Sequence, residues 1–231
     1  MHKSELARRY TVFMLAMVIG SFGVTLVTRS LLGVNSVACF SYVTSVYFPI
    51  TMGTVNILFN LTMFVSQFFI LTGEQRHREL GNFLLQIPAM ILFGVMLDVW
   101  LWITDSLVIV NYAMALTILF IGSVLIAVNI ALQATASVAM LPCDAFVRQL
   151  ATRLQKRLGS LKFIYDLFLV GTAAIMSLVC SGFTEIVGIR EGTVIGALIV
   201  GPITQVALRF MLPFKLFCEG GLNRNESKES N

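Results

Sequence analysis

Charge is scarce in this sequence: Asp, Glu, Lys and Arg together make up 12% of the 231 residues, about half the share found in a soluble domain. So few charges cannot cover a water-exposed surface, which excludes a soluble enzyme or binding module. Histidine is nearly absent, and both His2 and His77 lie outside the apolar runs, which excludes a buried imidazole base or metal ligand. The four cysteines, Cys39, Cys143, Cys180 and Cys218, stand alone, without a C-x-x-C pair. That spacing rules out a zinc ribbon or dithiol motif and leaves reduced packing residues. There is also no phosphate loop, no Ser-His-Asp set and no dinucleotide fingerprint. No cofactor or metal is expected, and the chain is not read as an enzyme.

Apolar residues fill the chain instead: 57% are hydrophobic and the mean hydropathy is +0.87. Runs of about 20 apolar residues, the length that crosses a roughly 30 Å hydrocarbon core, recur throughout. The fold class is therefore an all-α integral membrane protein forming one membrane domain over 1–231, with the lipid bilayer as its first partner. The run from Tyr10 lacks an A-x-A-like cleavage site and reads as a retained helix. The formal net charge of +4 sits in clusters at segment ends, which is the positive-inside pattern and not a nucleic-acid footprint.

Six stretches read as crossings: Tyr10 to Arg29, Thr51 to Thr72, Asn82 to Trp102, Leu107 to Ala131, Leu161 to Gly182 and Gly192 to Phe214. Two further segments, Leu31 to Ile50 and Leu132 to Gly159, are less apolar and interrupted by Gly, Pro or small residues. These two segments expose an internal repeat. Each follows a crossing that contains Gly-Ser (Gly20-Ser21, Gly122-Ser123), and each leads into a similar step, FPITMGTVNILFN beside LQKRLGSLKFIYD. In that register Gly53 matches Gly159, Asn56 matches Lys162 and Asn60 matches Asp166. Later, LFGVMLD and IVGPITQ pair Gly94 with Gly201 and Asp98 with Gln205. The halves run over 10–102 and 107–217, with a polar tail at 218–231.

If the broken segments dip in and return, the halves are inverted. Lys3, Arg8 and Arg9, the Arg76 and Arg78 loop, the group Arg148, Arg153, Lys156 and Arg157, and Lys215 then share one side, which would be the cytoplasm, with both termini. If the broken segments span, the Arg76 loop moves outside. The first arrangement satisfies the positive-inside rule more fully, giving six crossings plus two re-entrant half-helices.

The stretches LLGVNSVACF, LLQIPAMILFGVMLD, LPCDAF and GTVIGALIVGPITQVALRF together resemble the YitT/YczE-like family of small bacterial multi-pass membrane proteins, over most of the chain. In that family the broken segments typically read Gly-x-x-Pro-x-Asp. Here Pro142 and Asp144 keep the pattern, while Val37 and Cys39 stand where Pro and Asp would fall in the first half. The resemblance implies the fold, a bacterial source and the inner membrane, and it implies little chemistry.

Candidate site residues follow from where polar groups interrupt the apolar runs. Pro142 and Asp144 open a short helix whose free N–H groups and dipole can hold an anion; Asp144 also suits a plain helix cap. Ser36 is its first-half counterpart. Asn56, Asn60 and Gln67 form a polar stripe on one crossing, and Lys162 and Asp166 fall on the equivalent stripe of the other, four residues apart and able to pair. The alternatives are interhelical hydrogen-bonding glue for the amides and interfacial snorkelling for Lys162. Asp98, with Gln205 as its equivalent, reads as interfacially solvated or paired with Arg29.

The functional expectation is a small secondary transporter or exporter of a small polar or charged metabolite, with its site between the repeats near the bilayer midplane. Asp144 and Asp166 would couple to a proton or to the substrate. The alternative is a scaffold acting through a partner, with the polar stripes serving packing alone. A homo-oligomer is compatible with either.

Overall fold

The computed structural model describes residues 3–71, 73–211, 214, 215 and 218. Most of the expected tail and the side chains of Arg76 and Arg78 lie outside the described residues. Eight helices follow one another: α1 (Lys3–Arg29), α2 (Ser36–Tyr47), α3 (Met52–Ile70), α4 (Gly73–Ile103), α5 (Tyr112–Ala136), α6 (Pro142–Arg153), α7 (Leu158–Cys180) and α8 (Glu191–Phe210). No strand occurs among the described residues. Six of these helices, all but α2 and α6, are long and apolar enough to cross a membrane. The chain is therefore a multi-pass membrane protein, and both halves run long helix, short helix, long helix, long helix.

Local chemistry accounts for several boundaries. Thr51 caps α3 by accepting from Thr54 N at 3.2 Å, and Asn111 caps α5 by accepting from Met114 N at 2.8 Å, each relieving an orphan N–H of a first turn. Helix α5 ends where Ser137 turns left-handed, at φ 49°, five residues beyond the expected start of the broken segment. Pro142 opens α6 in its first turn, where a missing N–H costs nothing. The stretch expected as the Arg76 loop is helical: α4 has 31 residues, about 46 Å at ~1.5 Å per residue, longer than an apolar core of ~30 Å.

The centre of the bundle is α1 against α5. A β-carbon added at Gly23 would lie 2.9 Å from Gly122 O, and one at Gly122 would lie 2.8 Å from Gly23 O. The two backbones therefore touch there, as small residues allow in membrane helices. Gly20 faces Asn129, Gly122 faces Val27, and Arg9 Nη1 donates to Ala136 O at 3.2 Å. Residue numbers rise on one helix as they fall on the other, so α1 and α5 are antiparallel. Helix α4 packs on α1 and α8 on α5, α3 lies against α6, and α2 lies against α7.

The two glycine pairs matched from sequence pack differently. Helices α3 and α4 cross where Gly53 meets the Gly94 carbonyl and Gly94 meets Ile57, whereas Gly159 and Gly201 have no atom near enough to touch an added β-carbon. Helices α7 and α8 make no comparable contact.

Candidate functional site

Helix α7 turns one face inward, with Lys162 and Asp166 half-buried and Leu169, Ala173 and Ser177 buried, spaced as one face of a 3.6-residue helix. Phe163, Ile164, Leu167 and Phe168 point outward. The apolar end of the stripe carries α2, through Cys39 and Val43 against Ala173. The charged end meets the first turn of α6. Lys162 Nζ donates to Asp144 Oδ1 at 2.8 Å and pairs with Asp166 Oδ1 at 3.4 Å. Asp166 Oδ1 is buried and makes no hydrogen bond beyond that ion pair. The Ser36 hydroxyl, which donates to Asn35 Oδ1 at 3.3 Å, stands beside the same carboxylate. Four residues singled out from sequence thus converge: one opens α2, one lies in the first turn of α6, and two lie on α7.

Two carboxylates share one ammonium, so with all three ionised the cluster carries one net negative charge. The side chains are 32%, 42% and 28% exposed for Lys162, Asp144 and Asp166, which makes the cluster half-buried and reachable. Asp166 lies about 12 Å from the start of α7 at ~1.5 Å per residue, roughly a third of the way along it and short of the expected midplane. Tyr165, one residue away, sets its hydroxyl 3.5 Å from Cys143 Sγ and 3.3 Å from Met63 Sδ, closing α3, α6 and α7 around the base of the cluster.

The amide stripe of α3 does different work. Asn60 Oδ1 accepts from Cys143 N at 3.3 Å, satisfying a first-turn N–H of α6, while Asn60 Nδ2 donates to Asn56 O and Oδ1 at 3.0 and 3.1 Å. Gln67 Nε2 donates to Gln86 Oε1 and Pro142 O, both at 3.2 Å, and Gln67 Oε1 accepts from Gln149 Nε2 at 3.0 Å. These buried amides hold α3, α4 and α6 together, and none hydrogen-bonds to the charged cluster. Gln86 and Gln149 were missed from sequence, because an amide's partner across helices leaves no local pattern.

Asp98 does not pair with Arg29. Its Oδ1 accepts from Gly53 N at 2.7 Å and its Oδ2 from Thr51 Oγ1 at 2.6 Å, so a carboxylate on α4 caps α3. Arg29 pairs with Asp105 at 2.9 Å. Gln205 is exposed and does not reproduce the Asp98 cap, as expected where α8 makes no contact with α7 comparable to that of α4 with α3. Cys39, Cys143 and Cys180 are free thiols, the first two buried and Cys180 exposed, and Cys218 is buried as well. No cluster of metal-ligand residues occurs among the described residues.

Of known families, one described as "Family of unknown function (DUF6198)" matches residues 7–209. No curated protein and no solved structure matches the chain.

Proposed function

Since the chain belongs to the DUF6198 family, a membership that brings no activity with it, we propose from its geometry that it is a small secondary transporter of a small polar or charged metabolite. The Asp144–Lys162–Asp166 cluster is the coupling site. The observation that carries this reading is the uneven charge count of that cluster, placed where two half-length helices begin. Charge inside an apolar bundle is costly, though less so for groups that, as here, are about a third exposed and off the midplane. A lysine with one acid would already be neutral. The second acid adds a charge that packing does not need, and a proton or a cationic group of a substrate would balance it. Binding at that position therefore changes the net charge of the bundle interior, which is what couples a substrate to an ion gradient.

The wider architecture of the proposal is a pair of inverted repeats with α2 and α6 re-entrant. Support comes from the antiparallel α1–α5 crossing. With Gly20 equivalent to Gly122 and Val27 to Asn129, the contacts Gly20–Asn129 and Val27–Gly122 exchange with one another, as a two-fold relation requires. The reciprocal pairs α3 with α6 and α2 with α7 support it too. In this reading half one is closed at Gly53–Gly94 and half two is open at Gly159–Gly201, and exchange of the two arrangements would alternate access. Kinship with YitT/YczE-like proteins belongs to the same proposal, supported by the Pro142-x-Asp144 opening of α6. So does an inner-membrane location with both termini cytoplasmic, supported by Arg8, Arg9, Arg153, Lys156 and Arg157 lying toward the end where α1 starts and α6 ends.

A thermal-shift screen of polar metabolites on the purified protein tests the function. The proposal expects a ligand that raises the unfolding temperature of the native protein and fails to do so for Asp144→Asn and Asp166→Asn, with folding intact in both. Variants that express poorly yet respond as the native protein does would support the scaffold reading instead.

A further inference from the structure

At the opposite end of the bundle, where α1 stops, a cavity of about 220 Å³ lies between α1, α2, α3 and α4, lined on its polar side by Thr28, Arg29, Tyr42 and Ser45 and on its apolar side by Leu31 and Leu101. That is room for about seven waters at ~30 Å³ each. Its lining carries one full charge, the Arg29 guanidinium, and no carboxylate. Asp98, the nearest acid on α4 along the chain, is taken up in capping α3.

Arg29 is held in place without being used up. Its Nη2 donates to Leu101 O at 2.6 Å and to Asp105 at 2.9 Å, and its Nε donates to Thr104 Oγ1 at 3.4 Å. Nη1 hydrogen-bonds to no described residue. The Asp105 side chain is 80% exposed, so this counter-ion sits in water, where such a pair contributes little. Tyr42 and Ser45, one turn apart on α2, line the same space; the Ser45 hydroxyl donates to Tyr42 O at 2.8 Å, and the Tyr42 hydroxyl has no hydrogen bond to a described residue. Fastening α1 to α4 needs only the Leu101 and Thr104 bonds. It does not need a cavity lined by an arginine and a tyrosine that each keep an unused donor.

We propose that this cavity binds a phosphate-type oxyanion, carried on an apolar body such as an acidic lipid. The guanidinium fork suits a phosphate's oxygens. The apolar body follows from the surroundings: Leu31 in the lining is 58% exposed, and Trp102 and Ile103, next to Leu101, are exposed as well. A chain leaving the cavity would lie on that apolar surface.

The test is thermal unfolding of the purified protein in dodecyl maltoside, titrated separately with dihexanoyl phosphatidylglycerol, dihexanoyl phosphatidylcholine and inorganic phosphate. The site predicts a saturable rise with phosphatidylglycerol, and an apparent affinity about tenfold weaker in Arg29→Gln. Ser45→Leu, which fills the cavity and leaves the Arg29 bonds in place, should weaken binding likewise and keeps the test decisive if Arg29→Gln fails to fold. Asp144→Asn should retain the response, separating this site from the acid–lysine cluster. A saturable rise with inorganic phosphate alone would keep the oxyanion site and make a free anion its source. An equal rise with phosphatidylcholine, or an unchanged response in both cavity variants, would overturn the proposal.

Discussion

Neutralising both acids of the cluster should cost far more than neutralising either one. With both present, Lys162 stands 2.8 Å from Asp144 and 3.4 Å from Asp166, gross attractions of about 6 and 5 kcal/mol at an effective dielectric constant of ~20. Desolvation consumes most of that. In Asp144→Asn the remaining pair is Lys162 with Asp166, and in Asp166→Asn it is Lys162 with Asp144. Either is electrically neutral, so each single change should shift stability by less than about 1 kcal/mol. In the double variant Lys162 keeps its charge with no carboxylate beside it. Stranding a buried charge costs about 3–5 kcal/mol; with these side chains about a third exposed, we expect about 2 kcal/mol. The assay is reversible unfolding in mixed micelles for the native protein and the three variants. A double variant whose loss equals the sum of the singles within about 0.5 kcal/mol would refute the shared-ammonium account.

The two glycine pairs should behave differently. Gly94→Val, which thrusts a side chain into Ile57 and the Gly53 carbonyl, should lower stability by about 1–3 kcal/mol, whereas Gly201→Ala should be neutral or slightly stabilising, as read by thermal unfolding. Asp98→Ala unpairs Gly53 N and Thr51 Oγ1 and should cost about 1–2 kcal/mol, the size of a lost helix cap, with ligand response unchanged. Gln67→Leu strands Gln86, Gln149 and the Pro142 carbonyl and should cost about 1–3 kcal/mol, again without altering any ligand response. For orientation, after Cys180→Ser, a cysteine at Gln155 should resist impermeant thiol reagents in intact cells and one at Asp105 should react; the reverse would contradict the proposed sidedness.

The order of elements was legible because hydropathy and length are properties of a single segment. Asn60 and Asp166, matched to one another from sequence, each lie beside the start of a short helix, Asn60 at Cys143 and Asp166 at Ser36. Lys162 and Asp166 could be placed on one face from spacing alone. Asp144 joined them only through tertiary structure, though the Pro-x-Asp opening marked it. The Asp98 cap was missed because capping another helix's first turn is a three-dimensional relation, and a carboxylate near a helix end looks the same in sequence whether or not it meets a neighbouring backbone. The α3–α4 and α7–α8 asymmetry was invisible for a related reason. Both pairs carry the same glycines, and only packing shows that one pair is closed and the other open.

The most direct measurement of the central claim is solute-driven proton flux into proteoliposomes, read with a lumenal pH dye while pools of amino acids, carboxylates and amines are applied outside. The account predicts that at least one pool changes lumenal pH with the native protein, and that Asp166→Asn, reconstituted at equal density, gives the trace of empty vesicles. Native proteoliposomes indistinguishable from empty ones, or an Asp166→Asn trace matching the native one, would contradict it.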